Sequence, residues 1–394
     1  MYSLNLRYAP IYFCVAISSI VFSLWSSVNG SVINTDGICY LQSAETLSEG
    51  LNAAMHACVQ ARWPFYSILI AGLVHISHFS YIVAAYLLDG IFSIFTAVIF
   101  VKIVSWLSQS VDMNGDKKKQ QSLLWFAALV ILLSDEFNSV KYYIIRDHGF
   151  WAFYLLSLYF LLHFFRDHRW KYAIAWCVSL IIATLFRIEG AVFLILLPFL
   201  ALLNSSLPFS SRLVSFFKMN ALLLFIGIGL TLWIFIASPA NLGRLSELPL
   251  QLTHGFSQLA IDYKMRADHL SQYVLNPFAA RYSAWILLIT LIVWYVISAI
   301  KNISFLYSIF AVFAWSKKII KASQATHLVL WGYLFINVIV TALFLAEHMF
   351  FIQTLFNCFI TYCHDMGTVC IATSFYEMAA TKMAYGACIG IDGS

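Results

Sequence analysis

Long apolar runs recur along the whole chain, and they are continuous rather than alternating with polar residues. They lie at 8–27, 81–107, 121–137, 149–165, 171–187, 190–203, 219–237, 284–300, 303–315, 326–346 and 348–363. A helix needs about 20 such residues to cross the hydrocarbon core, and it satisfies its backbone amides internally. The pattern predicts an all-α, polytopic integral membrane protein with about 10–12 transmembrane helices.

The composition excludes a soluble protein. Of the 394 residues, 62% are hydrophobic and 10% are charged, whereas soluble domains carry about 25% charged residues. The net charge is +5, but the basic residues sit mostly between the apolar runs, so no nucleic-acid partner is expected. The eight cysteines show no paired CxxC spacing of the kind that binds metal ions.

The basic residues predict the orientation of the chain. They cluster at 117–119, at 166–171 and at 212–218, whereas the segment 28–62 carries Arg62 alone. By the positive-inside rule the three clusters are cytoplasmic, and the loops 28–62, 135–148 and 238–283 lie outside.

The run 63–79 is predicted not to cross the membrane. An odd number of crossings must separate an outer 28–62 from a cytoplasmic 117–119, yet two apolar segments lie between them. The weaker segment is 63–79, which has Pro64 near its start and only about 17 residues, fewer than a crossing needs. We expect it to lie at the interface or to re-enter the membrane on the outer side.

Two of the outer loops carry apolar stripes at helical spacing. The stripes are Tyr40, Ala44, Leu47 and Leu51 in the first loop, and Leu252, Phe256, Leu259, Ala260 and Tyr263 in the other. They predict helices that lie on the membrane or pack on the bundle. Cys39 and Cys58 share the first loop, where they could form a disulfide or remain buried thiols.

Charged groups beside an apolar bundle are costly, so each is a candidate for function. Asp36 follows the first span and could be a base or a helix N-cap. Arg146 and Asp147 could bind a phosphate and an acceptor, or form a surface ion pair. Arg187 and Glu189 stand where two apolar helices meet, and they could hold a lipid phosphate or be a structural pair.

The order of these features resembles the GT-C class of membrane glycosyltransferases. The similar branch, glycosyltransferase family 39, holds protein O-mannosyltransferases and bacterial transferases that attach sugars to lipid A. The matching features are Asp36 followed by Tyr40, Trp-Pro-Phe-Tyr at 63–66, Arg146-Asp147, and Phe-Arg-Ile-Glu-Gly at 186–190. They cover about the first 210 residues of the chain.

The resemblance implies a transferase that uses a polyprenyl-phosphate sugar donor and a lipid, glycan or protein acceptor. It implies that Asp36 is the catalytic base and that Asp147 positions the acceptor or a divalent cation. Arg146, Arg187 and Glu189 are then the donor-phosphate site. The family is mixed in its use of metal, so a divalent cation is left open as a cofactor. The expected location is a bacterial inner (plasma) membrane, with the active site facing the periplasm or exterior.

The C-terminal part departs from the family pattern. Where an Arg-Tyr pair is expected after Thr354, the chain reads Leu-Phe-Asn-Cys at 355–358, and its hydrophobic texture then thins. We therefore predict a transferase module at 1–354 and an atypical tail at 355–394, interpreted as truncated or frame-shifted. Two other functions stay open at this point: a transporter or flippase for a lipid-linked substrate, and an inactive copy of the transferase.

Overall fold

The computed structural model describes residues 8–29, 33–110, 117–236, 248–303 and 323–345, and the regular structure of these residues is entirely helical. The helices are α1 (Ala9–Asn29), α2 (Thr35–Glu45), α3 (Leu51–His56), α4 (Phe65–Ser77), α5 (Tyr81–Ser110), α6 (Lys117–Leu132), α7 (Asp135–Ser139), α8 (Asp147–Asp167), α9 (Trp170–Phe186), α10 (Gly190–Leu196), α11 (Leu200–Leu203), α12 (Phe209–Ile236), α13 (Leu248–Tyr273), α14 (Pro277–Ala280), α15 (Ser283–Ile303) and α16 (Gln324–Leu345). The predicted all-α class is confirmed for these residues. The run 348–363, the tail 355–394 and nearly all of 303–315 lie outside them.

Three of these helices are long and apolar enough to cross a membrane. The qualifying stretches are Ala9–Val28, Tyr81–Ser108 and Asp147–Asp167. Helix α4 has only 13 residues, which at 1.5 Å per residue gives about 20 Å, short of the hydrocarbon thickness of about 30 Å. Its length therefore agrees with the prediction that this segment does not cross.

Helix α8 lies at the centre of the bundle and packs against α5, α9 and α16. Gly149 allows α8 to approach α9 closely, because a Cβ at this position would overlap the ring of Phe186. That ring is fully enclosed by aromatic neighbours, with edge-on contacts to Phe65 at 5.0 Å and to Phe92 at 5.2 Å between centroids. The end of α9 therefore packs closely against the start of α8.

The two ends of the bundle differ in charge. At one end α6 begins at Lys117, α8 ends at Asp167, and Lys218 donates to the carbonyl of His168 at 3.0 Å. The first turn of α1 lies at this same end, because Tyr8 donates to Gln120 at 2.7 Å. We call this the basic end. The opposite end, where α1 finishes and α5 and α8 begin, is called the site end.

The loop between α1 and α5 contains the predicted amphipathic helix, but in a shorter form. Tyr40 and Ala44 are buried on α2 as the stripe requires. The stripe does not continue to Leu51, which is 50% exposed. Helix α2 ends at Glu45 and a 3₁₀ turn continues it to Glu49. Gly50 then separates this turn from α3, and its φ of 117° is a conformation that glycine adopts far more readily than other residues. Helix α13 covers the second predicted stripe, but the side chains of Leu252, Phe256 and Leu259 lie outside the described residues.

Cys39 and Cys58 form a disulfide, with their Cα atoms 5.8 Å apart. The bond ties α2 to the 3₁₀ turn Val59–Arg62, which leads into α4. Trp63 then donates its indole N–H to the carbonyl of Thr184 on α9, at 3.2 Å. The whole loop is thereby fixed against the site end of the bundle.

Candidate functional site

The loop before α8 is held against α2 by a pair of hydrogen bonds to one side chain. The backbone N–H of Ile144 donates to Asn34 Oδ1 at 2.9 Å, and Asn34 Nδ2 donates to the carbonyl of Ile144 at 3.3 Å. Gly37 makes room for this contact, since a Cβ there would lie 2.9 Å from the Cβ of Ile144. Arg146, two residues further along, is thus brought to the first turn of α2, which carries Asp36.

A buried lysine fixes the same loop from its other side. Lys141 is 3% exposed, and its Nζ lies 4.7 Å from the ring centroid of Phe137 and 5.4 Å from that of Phe22 on α1. Burial lowers the pKa of Lys141 to about 8. The aromatic faces stabilise the ammonium group, so this residue fastens the loop to α1.

Arg187 is the buried centre of an ion-pair network at the end of α9. One arm of its guanidinium donates to Asp147, the first residue of α8, and another donates to Glu189 at 2.7 Å. Arg187 is 3% exposed, Asp147 9% and Glu189 7%. Burial alone would raise the pKa of Glu189, but the Arg187 guanidinium outweighs it and lowers that pKa to about 2. The two carboxylates therefore more than offset the single positive charge of Arg187 inside the fold.

Arg146 stands beside this network but is not part of it. Its side chain is 7% exposed, and its charge acts on Asp36, Tyr40 and Glu189. Among the described residues Arg187 pairs with Asp147 and with Glu189, and Arg166 pairs with Asp167. None of these involves Arg146, so its guanidinium keeps its charge available to an anion.

Asp36 lies half-buried at the edge of the cluster. Its Oδ1 accepts a hydrogen bond from Gln60 Nε2 at 3.1 Å. Burial and the negative charge of Asp147 raise the pKa of Asp36 above its ordinary value, while Arg146 and Arg187 oppose that shift. A carboxylate with a raised pKa is a stronger base than a solvated one.

Tyr40 lies one helical turn after Asp36 and faces the same charges. Burial raises its pKa to about 12, against the lowering effect of Arg146. Its ring meets that of Tyr66 edge-on at 5.2 Å, and the Tyr66 hydroxyl donates to Asp89 at 2.8 Å. A chain of aromatic and acidic groups thus leads from α5 to the cluster.

The structure brings together all five residues that the sequence singled out. These are Asp36, Arg146, Asp147, Arg187 and Glu189. Three of the simpler alternatives are corrected or refined. Asp36 is not the N-cap of α2, because Asn34 holds that position. Arg146 and Asp147 are not a surface pair, because both are buried. The pairing of Arg187 with Glu189 is confirmed, and it includes Asp147 as well.

Sequence reasoning missed two groups at the site. Gln60 was not singled out, although it is two residues after Cys58 and so is carried toward α2 by the disulfide. Asn34 was not singled out either, and its contact with Ile144 spans 110 positions. Local sequence holds no signal for such a pairing. The cysteine pair was the one clue to the position of Gln60.

The donor set does not favour a metal site. Among the described residues, His, Cys, Asp and Glu side chains form no group of three or more that could hold a metal ion. Asp147, the residue expected to position a divalent cation, is already engaged by Arg187.

The cluster can therefore accept a proton at Asp36 and bind an anion at Arg146. The N-terminus of α8 adds its own partial positive charge beside Arg146. No protein-family model matches this chain, and no curated protein matches its sequence.

Proposed function

We propose that this protein is a polytopic membrane glycosyltransferase that uses a polyprenyl-phosphate sugar donor. The observation that carries the proposal is the convergence of Asp36, Arg146 and the Arg187 network at one end of the bundle. A sugar transfer from a lipid phosphate needs a base for the acceptor and a cation for the departing phosphate. We assign these roles to Asp36, in the first turn of α2, and to Arg146, at the start of α8.

The reaction is assigned to the residues as follows. Asp36 removes the proton from the acceptor hydroxyl, whose oxygen then bonds to the anomeric carbon. The bond from that carbon to the phosphate oxygen breaks, and the polyprenyl phosphate leaves with the electron pair. Arg146 stabilises the negative charge that grows on the phosphate. Attack opposite the leaving group inverts the anomeric configuration.

Arg187 is given a different role from Arg146. Asp147 and Glu189 already offset its charge, and a buried ion-pair network of this kind holds its members in fixed positions. We therefore assign Arg187, Asp147 and Glu189 to the frame that positions Arg146 and α8. The negative charge of Asp147 also acts on Asp36 and raises its pKa.

Two independent features support a site that faces away from the cytoplasm. The basic end carries Lys118, Lys119 and Lys218, and basic residues favour the cytoplasmic side. The disulfide lies at the site end, and disulfides persist in oxidising compartments. With about 10–12 crossings in all, the proposed location is a bacterial plasma membrane with the site facing the periplasm or exterior.

The acceptor is a lipid, a glycan or a protein, and the experiment that tests the proposal also identifies it. Envelope lipids and glycans are compared by mass spectrometry between a host strain lacking the protein and the same strain carrying wild type, Asp36→Asn or Glu45→Gln. Glu45 is an exposed carboxylate at the end of the same helix and serves as the matched control.

The expected result is the loss of one sugar-sized mass in the deficient strain. Wild type and Glu45→Gln restore that mass, whereas Asp36→Asn does not. Identical products in every strain contradict the transferase. Accumulation of an unmodified lipid-linked sugar on the cytoplasmic side indicates a flippase instead, and restoration by Asp36→Asn removes Asp36 from the role of base.

A further inference from the structure

The hydrogen bond from Gln60 to Asp36 completes a closed loop of contacts that includes the proposed base. Asp36 and Cys39 are three residues apart on α2, so their side chains lie on the same side of the helix. Cys39 is bonded to Cys58, and Gln60 follows Cys58 by two residues in the 3₁₀ turn. Gln60 returns to Asp36 Oδ1 at 3.1 Å.

We propose that Gln60 is the positioning residue for the Asp36 carboxylate, and that the Cys39–Cys58 disulfide holds Gln60 in place. This inference rests on the proposed function, because it explains how that site's base is oriented. The activity then depends on the redox state of the two cysteines, because Asp36 is correctly oriented only while Cys39 and Cys58 are bonded to each other.

The chemistry of the amide explains the assignment. Gln60 donates to one carboxylate oxygen, Oδ1, which fixes the side-chain rotamer of Asp36 and leaves Oδ2 to take the acceptor's proton. A donated hydrogen bond also favours the ionised form of the carboxylate. Gln60 therefore opposes burial and the charge of Asp147, both of which favour the protonated form.

The other groups that act on Asp36 are known, so the contribution of Gln60 can be separated from theirs. Arg146 and Asp147 face Asp36 from the start of α8, and Arg187 faces it from the end of α9. Tyr40 on its own helix also feels its charge. Gln60 is uncharged, and its side chain can be changed without altering the charge of the cluster.

The test measures protonation of Asp36 directly, without relying on sugar transfer. The full-length protein in detergent is labelled with a water-soluble carbodiimide and an amine, which modify protonated carboxyl groups, at a series of pH values. Modification of the peptide containing Asp36 is then quantified by mass spectrometry. The variants are Gln60→Ala and the control Val59→Ala, whose side chain is 72% exposed in the same turn.

The expected result is an upward shift of the labelling midpoint of Asp36 by about one pH unit in Gln60→Ala. Val59→Ala keeps the wild-type midpoint. In the transfer assay Gln60→Ala lowers kcat about tenfold with the donor KM unchanged, because the base is affected and the phosphate site is not. An unchanged midpoint together with a lower melting temperature means that Gln60 acts through folding alone, and it overturns the proposal.

The disulfide is tested with a second pair of variants. Cys39→Ser/Cys58→Ser, or reduction of the bond to two thiols by excess dithiothreitol, is expected to shift the Asp36 midpoint in the same direction. Cys14→Ser is the control, since Cys14 is an exposed free thiol on α1. Reduction should cause no further shift in Gln60→Ala, because the disulfide acts through Gln60.

The outcomes separate this inference from the proposed function. If the wild-type protein transfers no sugar, the proposed glycosyltransferase activity is wrong. The labelling midpoints of Asp36 still report on the roles of Gln60 and of the disulfide. If reduction shifts the Asp36 labelling midpoint equally in wild type and in Gln60→Ala, the disulfide does not act through Gln60. A double-serine variant with wild-type midpoint and kcat removes the disulfide from the proposal.

Discussion

Asn34 and Ile144 lie 110 positions apart and bond to each other twice, side-chain amide to backbone amide. This contact joins the start of α2 to the loop before α8, and so joins the proposed base to the proposed phosphate-binding arginine. Neither residue is charged or reactive. Their pairing nevertheless decides where Asp36 and Arg146 stand relative to each other.

Asn34→Ala is expected to lower both stability and activity. It leaves the backbone N–H of the fully buried Ile144 without its acceptor, which costs about 1–3 kcal/mol of unfolding free energy. Activity should fall further than stability explains, because Arg146 is released from its place beside Asp36. Thermal unfolding in detergent and transfer kinetics are the measurements. Asn52→Ala, at an exposed position of α3, is the control and should change neither.

Asp36→Asn is expected to lower kcat by about 10²–10⁴-fold, the range for loss of a general base. The dependence of the wild-type transfer activity on pH is a second test of Asp36 as the general base. Because burial and Asp147 raise the pKa of Asp36, activity should rise with pH through a midpoint above the ordinary range of an aspartate. A midpoint at or below that range would show that a different group is being titrated.

Arg187→Met is expected to destabilise the fold far more than Arg146→Met. Removing Arg187 leaves the buried carboxylates of Asp147 and Glu189 without their partner, and breaking such a network costs about 3–5 kcal/mol. Arg146 has no such partners among the described residues, so its loss should lower kcat and raise the KM for the donor, and leave the melting temperature nearly unchanged. Equal melting temperatures for the two variants would contradict these separate roles.

The stability of the fold should also depend on Glu189 in acid. The folded-state pKa of Glu189 is lowered to about 2, so its ionised form is favoured by folding. That stabilisation is fully present above the ordinary pKa of a glutamate and is lost as the pH falls toward about 2. Melting temperatures recorded from pH 6 to pH 3 should fall more steeply for wild type than for Glu189→Gln. Glu45→Gln, at an exposed carboxylate, should follow wild type.

Much of the helical frame could be predicted from the chain, because the helices come from continuous apolar runs. The predicted runs at 81–107 and 149–165 correspond to α5 and α8 within a few residues. The sequence predicts from the distribution of basic residues that the segment 63–79 does not cross the membrane, and the short length of α4, 13 residues, is consistent with that prediction. Gly50, which ends the first amphipathic stripe, could have been read as a break, since glycine tolerates positive φ.

The pairings inside the site could not be predicted in the same way. The sequence suggested that Arg187 pairs with Glu189, which is two residues away. It gave no sign that Arg187 also pairs with Asp147, which is 40 positions away. That contact exists because the start of α8 and the end of α9 are pressed together at Gly149. A long-range contact of this kind depends on helix packing, which no local pattern encodes.

Gly149→Ala tests this packing directly. The added Cβ would overlap the ring of Phe186, and overpacking of a core typically costs about 1–3 kcal/mol. The start of α8 would also be pushed away from Arg187, which follows Phe186, so transfer activity should fall together with the melting temperature. Gly72→Ala is the matched control, since a Cβ there meets nothing within 4 Å, and it should leave the fold unchanged or stabilise it by about 0.5–1 kcal/mol.

The double variant Gly149→Ala/Phe186→Leu separates packing from any other effect of the glycine. Leucine is smaller than the phenylalanine ring and vacates the space that the new Cβ needs. If the overlap is the cause, the double variant regains part of both the stability and the activity that Gly149→Ala loses. If the losses of the two single variants simply add in the double variant, the effect of Gly149→Ala does not come from contact with Phe186. The explanation of how Asp147 reaches Arg187 would then have to be revised.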